Sequence, residues 1–288
     1  MPKALVTGSM GFVGKFLVAE LESQGWQVKG FNLRNDQNIC DEEFVRNILD
    51  IFRPDAVFHL AAQAYVPESF TSPQRAFLIN TIGSLNILES VRKLGLKCHV
   101  HMAGTSEEYG PAKLEHAELM PSSPYGVSKV AMDYLGQLYA RSYGMHVIVT
   151  RAFNHTGPGR GEMYAESSWA KQIAEMEKGK RSSVLHGNLK SRRNYTDVRD
   201  IVKAYIRTVS LSPGVYKVCS DVNVSMQDIM DIYIDLAECT IQLEESSSLY
   251  RPNDFSFQQP TCDIPDWKPE ISLKETLRDL LDYWRQRV

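Results

Sequence analysis

The sequence predicts an α/β protein: a doubly wound parallel sheet followed by a smaller mixed α/β domain. Three observations lead there. Apolar segments of strand length alternate with amphipathic helical segments over the first 154 residues. A glycine-rich turn joins the first strand to the first helix. The alternation then loosens after about residue 155. Strands that alternate with helices require right-handed crossovers and a sheet covered on both faces.

Each element has its own signal. "KALVT" (3–7) reads as a short buried strand, and an amphipathic run from Phe12 to about Ser23 as the first helix. "QVKGFN" (27–32) is the second strand. "DEEFVRNILDIF" (41–52) has helical spacing, with Phe44, Ile48 and Ile51 on one face. "DAVFHLAA" (55–62) is a continuous apolar strand. One long helix fits 74–94 and stops at Gly95. "CHVHMAG" (98–104) is a strand, 125–143 a helix ending before Gly144, and "HVIVTRAFN" (146–154) a sixth strand. Beyond it lie helical runs at 165–178 and 225–238, a strand-like "GVYKV" (214–218), a Pro-rich stretch and a last helix at 272–287. The expected division is a dinucleotide-binding domain over 1–153, which about 184–206 rejoins, and a mainly substrate-binding domain over 154–288.

Composition narrows the function classes. The 288 residues are 43% hydrophobic and 23% charged, ordinary for a globular chain with a sizeable core. The net charge of -3 and the mixed signs give no footprint for nucleic acid or an anionic membrane. Cys40, Cys98, Cys219, Cys239 and Cys262 are odd in number and form no Cys-x-x-Cys. That spacing disfavours a disulfide framework or a zinc site and favours a reducing compartment. "MPKALVTG" lacks a signal-peptide layout, and no run approaches the roughly 20 apolar residues of a membrane span. A soluble cytoplasmic protein is expected.

"TGSMGFVG" carries Gly8, Gly11 and Gly14 between strand and helix, with Met10, Phe12 and Val13 among them. One glycine suits the tight turn, one a close backbone approach to a pyrophosphate, and one close packing of helix on strand. The helix N-terminus then faces the phosphates with unpaired N–H groups. An NAD site commonly ends its second strand on a carboxylate for the ribose 2′-hydroxyl. Asn32 stands there instead, followed by Leu33 and Arg34. A missing carboxylate and a nearby guanidinium point to NADP(H), with NADPH preferred over NADH. The chain then passes straight to the next helix, so the usual third strand is expected to be missing or vestigial, and Asn38 and Ile39 are placed against the adenine.

Tyr125 and Lys129 stand four apart at the start of a predicted helix, on one face. A phenol titrates near 10 in water, and an ammonium one turn away favours its phenolate. That pairing suits proton transfer to a carbonyl oxygen. His99 and His101 share one face of a strand, as metal ligands do, but no third ligand is near in sequence and a structural role is favoured. His59 is expected to pack, and Asn80 to be structural.

Four motifs in order, Thr7 to Gly14, "HLAA" at His59 to Ala62, "GTSEEYG" at Gly104 to Gly110 and "PYGVSK" at Pro124 to Lys129, resemble the extended short-chain dehydrogenase/reductase family over nearly the whole chain. The resemblance implies a Rossmann-like fold, with Leu60, Ala61 and Ala62 beside the cofactor and Lys129 also on the nicotinamide ribose. It implies that Thr105 is a hydroxyl partner for the substrate oxygen. Ser106 and Glu107 fall where sugar-nucleotide dehydratases keep an acid/base pair; Glu107 is either that base or a contact to a sugar hydroxyl.

Within the family, "RAFNHTGPGRG" (151–161), "AKQIAEMEKGK" (170–180) and "GNLKSRRNYTDVRDIVKAY" (187–205) resemble the GDP-4-keto-6-deoxy-mannose reductase branch. That branch implies a GDP-linked 4-keto-6-deoxy sugar as substrate. Asn154 and His155 would stand beside it, and Lys171, Arg193 and Arg251 on phosphates or ribose. Asp197 and Asp200 would fasten their motif. The family also implies a homodimer built on the helices at 74–94 and 125–143. The expected reaction is NADPH-dependent reduction at C4. A GDP-mannose 4,6-dehydratase, a nucleotide-sugar C4 epimerase and a non-catalytic dinucleotide sensor are the alternatives.

Overall fold

The computed structural model describes residues 1–32, 38–111, 118–250 and 259–288. They form two compact units: Met1–Ala152 with Val202–Val218 and Cys262–Trp267, and Phe153–Ile201 with Cys219–Thr261 and Lys268–Val288. The segment that returns to the first unit is therefore 202–218, not the whole of the expected 184–206. The cause is strand pairing, because residues 192–197 hydrogen-bond within the second unit.

The first unit runs β1 (Lys3–Thr7), α1 (Phe12–Ser23), β2 (Gln27–Phe31), α2 (Glu42–Phe52), β3 (Ala56–His59), α3 (Val66–Thr71), α4 (Pro73–Phe77), α5 (Gly83–Lys93), β4 (His99–Thr105), α6 (Pro124–Tyr143) and β5 (Val147–Ala152). The second contributes β6 (Asn154–Thr156), α7 (Ala165–Glu177), β7 (Val184–His186) and β8 (Arg192–Asp197). There follow α8 (Val198–Arg207), β9 (Gly214–Val218), β10 (Asn223–Ser225), α9 (Met226–Leu236), β11 (Leu243–Glu245) and α10 (Leu273–Arg285).

The sheet of the first unit has strand order β2-β1-β3-β4-β5-β9, parallel throughout. Its register sets Thr7 beside Phe31 and His59, His59 beside Met102, and Thr105 beside Ala152. The carboxyl ends of the strands thus share one edge, where open α/β sheets hold their ligands. Fully buried Leu5, Val57, Val100 and Met102 on the strands meet Leu49, Ile87 and Leu88 on the helices. Near-continuous apolar strands of this kind are what a doubly covered parallel sheet demands. Among the described residues no strand lies between β2 and α2.

Three local readings differ from the structure. Helix α2 buries Val45 and Leu49, with Phe44 and Ile48 packed beside them, and leaves Ile51 82% exposed. The helix expected over 74–94 is interrupted by a π-turn at Leu78–Ile82. The strand expected over 146–154 breaks at Phe153, where the two units divide. His99 and His101 both face inward: their Nε2 atoms pair with Thr208 Oγ1 at 3.1 Å and Thr150 Oγ1 at 2.9 Å. His101 also lies against the Tyr205 ring, 4.3 Å between centroids.

In the second unit, β8 runs antiparallel to β10 and parallel to β6, and β7 pairs with β11. Its core gathers Trp169, Ile173, Ile229, Tyr233, Leu277 and Leu280. Asp200 accepts the N–H groups of Glu270 and Ile271, both at 2.9 Å, while Asp197 holds Arg199 and Thr276. Both acids fasten the fold. Among the described residues no helix is long and apolar enough to cross a membrane.

Candidate active site

The glycine turn begins where β1 ends. Gly8 adopts φ 70°, and a Cβ there would lie 3.0 Å from Ala61 N. The turn thus abuts the segment that follows β3 and brings Leu60 and Ala61 to its side. A Cβ on Gly14 would fall 2.2 Å from Gly8 O, so α1 sits directly on the turn. Helix α1 has no side-chain cap and no acid in its first turn, which leaves its leading N–H groups and dipole for an anion.

Asn32 braces this turn. Its Oδ1 accepts Met10 N–H at 2.7 Å and its Nδ2 donates to Ser9 Oγ at 2.8 Å. An amide supplies both functions; a carboxylate in its place would supply only the first. The turn, the uncapped helix and the absence of a carboxylate at Asn32 fit an NADP-type dinucleotide. Arg34 lies outside the described residues. Asn38 Oδ1 accepts Cys40 N–H at 2.9 Å. Ile39, expected against the adenine, is buried in the core and occupies the space that Gly83 leaves open.

A directional chain of hydrogen bonds leads from this turn to α6. Thr7 Oγ1 accepts the N–H groups of Leu60 and Ala61 at 3.1 and 3.0 Å and lies 2.8 Å from His59 Nδ1. Ser84 Oγ lies 2.8 Å from His59 Nε2 and donates to Asn80 O at 2.6 Å. Because the serine proton is committed to Asn80, His59 donates through Nε2 and accepts the threonine proton at Nδ1. The imidazole is therefore neutral, in keeping with the burial that pushes its pKa down to about 3. Asn80, fully buried in the π-turn, accepts Gln63 N–H and donates to Gln63 O and to Ser128 Oγ. Ser128 in turn donates to Tyr125 O at 2.7 Å.

Tyr125 and Lys129 are both buried on α6, whose N-cap Ser123 accepts Gly126 N–H at 3.0 Å. Lys129 Nζ donates to Ala103 O at 2.7 Å, two residues before Thr105. A Cβ on Gly126 would lie 2.9 Å from Glu107 O. The first turns of α6 therefore pack on the end of β4, and Thr105, Ser106, Glu107, Tyr125 and Lys129 share one locale. Burial pushes the Lys129 ammonium down to about 8. Thr105 Oγ1 accepts Glu107 N–H at 3.3 Å, and its own hydrogen is available to a carbonyl oxygen.

In the second unit, Asn154 and His155 stand half-buried on β6. The His155 ring donates through Nδ1 to Phe153 O at 3.0 Å, so the lone pair is on Nε2. Burial and the Arg160 guanidinium push it down to about 4. A neutral acceptor of this kind suits a hydroxyl better than a phosphate. Arg193 is only 9% exposed on β8 and donates to Arg192 O at 2.9 Å. Lys171 lies on α7, salt-bridged to Glu162 and over the Trp284 ring. Arg251 is outside the described residues.

Sequence reasoning passed over Arg160, which stacks 3.4 Å from the Tyr164 ring centroid and faces buried Glu166 at 3.7 Å. Its place in the Arg160–Glu162 run was the available signal. It also passed over Glu108, Asp133 and Arg151, a buried charge cluster beneath Thr105. No spacing announces that cluster, since its members lie on three separate elements.

Residues 35–263 match the GDP-mannose 4,6 dehydratase family. The chain is 32% identical, over 99% of its length and 98% of the relative's, to a GDP-6-deoxy-D-mannose reductase of Pseudomonas aeruginosa. It is 30% identical, over 84% of its length and 73% of the relative's, to a GDP-mannose 4,6-dehydratase of Vibrio cholerae. The structure of RMD from Pseudomonas aeruginosa complexed with NADPH superposes with a TM-score of 0.91 at 30% identity, covering 100% of both chains.

Proposed function

Because the chain belongs to the GDP-mannose 4,6-dehydratase family of extended short-chain dehydrogenases/reductases, we propose that it reduces the C4 keto group of a GDP-4-keto-6-deoxy-hexose with NADPH. The product is of the GDP-D-rhamnose type. The observation that carries this reading is Lys129, a buried ammonium anchored on Ala103 O one helical turn from Tyr125 and beside Thr105.

NADPH, when bound, supplies the reducing equivalent to the carbonyl carbon. The glycine turn and the N-terminus of α1 hold its pyrophosphate. Thr105 donates its hydroxyl hydrogen to the carbonyl oxygen and orients it, and Tyr125 delivers the proton that completes the alcohol. Lys129 keeps positive charge beside Tyr125 and so steadies the phenolate that remains. Because the Lys129 pKa is about 8, its charge is present below that pH and lost above it. Turnover falls on the alkaline side with an apparent pKa near 8, read from kcat against pH.

Asn154 and the neutral His155 accept sugar hydroxyls, and buried Arg193 takes phosphate oxygens in its guanidinium fork. Ser106, Glu107, Lys171 and Arg251 complete the proposed substrate set. A homodimer fits the exposed apolar side chains of Phe77, Leu78 and Ile82 and of Val127, Tyr134 and Leu138, on helices packed side by side. The five free cysteines fit a reducing cytoplasm.

The 4,6-dehydratase is the second reading, favoured by Glu107, a half-buried carboxylate two residues from Thr105. One experiment separates them. With GDP-4-keto-6-deoxy-mannose and NADPH, a reductase consumes the cofactor in proportion to product. With GDP-mannose alone, a dehydratase forms the keto sugar with no net change in cofactor. No loss of NADPH in the first incubation rejects the proposal.

A further inference from the structure

Beneath Thr105 lies a charge arrangement that the reduction as written does not use. Glu108 and Asp133 are both fully buried, and Arg151 reaches both with a single nitrogen. Its Nε is 2.8 Å from Asp133 Oδ2 and 3.2 Å from Glu108 Oε2. The Nε–H is aligned with only one of the two oxygens. It donates to Asp133, and Glu108 Oε2 has no hydrogen-bond partner among the described residues. Asp133 also accepts from Gln137 Nε2 at 2.5 Å. The other oxygen of Glu108 accepts Thr105 N–H at 2.8 Å and fills the space above Gly104, where a Cβ would come within 2.8 Å of it.

A buried carboxylate oxygen without a donor is costly, and two carboxylates on one guanidinium cannot both stay ionised cheaply. A proton on Glu108 Oε2 resolves both problems. It turns the orphan acceptor into a donor to Asp133 and leaves Oε1 as the carbonyl that takes Thr105 N–H. The groups facing Glu108 divide: Asp133 on α6 favours the proton, whereas Arg151 on β5, Lys129 on α6 and the Thr105 N–H favour the ionised form, and the Tyr109 hydroxyl lies 3.3 Å from Arg151 Nη1. Burial and Asp133 both drive the Glu108 carboxyl well above the usual range.

We propose that Glu108 is a positioning residue for the reduction: as a neutral carboxylic acid bonded to Asp133, it fixes the backbone of Thr105 and with it the hydroxyl that orients the substrate carbonyl. The part that concerns turnover rests on the reductase reading above. The protonation part does not.

Two variants test it. Glu108→Leu removes the acceptor for Thr105 N–H; kcat is expected to fall ~10- to 100-fold while the Kd for NADPH, followed by its fluorescence, stays within about twofold. Glu108→Gln keeps the acceptor and donates to Asp133 by its amide, so it recovers most of that loss. The native state holds a proton that the unfolded chain releases above the ordinary glutamate pKa. Wild-type stability therefore declines as pH rises past that value, and the Gln variant lacks this slope. The Tm difference, Gln variant minus wild type, should grow as pH rises above the ordinary glutamate range, until the native carboxyl itself ionises. A kcat within threefold of wild type for Glu108→Leu overturns the positioning role. So does a Glu108→Gln variant as impaired as the Leu variant. A Tm difference that does not vary with pH overturns the neutral acid. If Glu108→Leu fails to fold, the Gln variant's kcat and Tm slope decide. If the wild-type chain reduces no GDP-keto sugar, the reductase reading falls, while the Tm slope still judges the proton.

Discussion

The two units handle charge differently. In the first, several ionisable groups near the proposed chemistry are buried on neutral partners, Lys129 on a carbonyl and His59 between two hydroxyls, and Arg151 is buried with Asp133 and Glu108. In the second, cations meet carboxylates: Lys171 with Glu162 and Glu175, Arg160 with Glu166, Arg199 with Asp197 and Asp279. The first arrangement is organised before any ligand arrives, which is what stabilising a developing charge requires. In the second, the cations are already paired, so an anion that bound Lys171 or Arg160 would have to displace a carboxylate.

Substitutions can break this contrast. The largest effect belongs to the first unit. Tyr125→Phe is expected to lower kcat by ~10^3, within the range for a lost general acid, with NADPH binding unchanged within twofold by fluorescence titration. Surviving activity removes Tyr125 from its role. Next is Arg193→Ala, expected to raise KM for the GDP-sugar ~10- to 100-fold and to leave kcat within about threefold, since its proposed contact with phosphate serves binding alone. A drop in kcat without a change in KM would put chemistry in the second unit and end the comparison. Asn32→Asp should shift the ratio of kcat/KM for NADPH over NADH ~10-fold toward NADH, by placing a carboxylate at the ribose. Steady-state rates with each cofactor measure it, and an unchanged ratio defeats the specificity argument. The smallest effect is Lys171→Ala: with Glu162 already bound to the ammonium, KM should rise only ~2- to 3-fold.

The same contrast explains what the sequence could express. Segments such as "KALVT" and "GVYKV" have the extents read from them, the first because a buried parallel strand has few polar options. Helix α1 likewise spans Phe12–Ser23, from the glycine turn onward. The π-turn at 78–82 was invisible, since its cause is tertiary: Asn80 must reach Gln63 and Ser128, 17 and 48 residues away. Ile51 looked like core by spacing, but spacing alone does not say which side of α2 meets the sheet. The motif singled out Thr105, Tyr125 and Lys129 because the proposed chemistry demands those residue types. Glu108 stood in the same motif and read as one more acid in a polar turn. Its meaning depends on Asp133 and Arg151, and on a burial that no local pattern reveals.

The π-turn has a consequence for how this chain tolerates change. Each residue advances an α-helix by ~100°, so the wide turn accommodates one residue that an uninterrupted helix would not. Deleting any single residue between Leu78 and Ile82 would let α4 and α5 join as one regular helix, a better local structure. It would also rotate Asn80 away from Gln63 and Ser84 away from His59, cutting the link between the glycine turn and Tyr125. At this point along the chain, the smoother backbone and the working enzyme are different molecules.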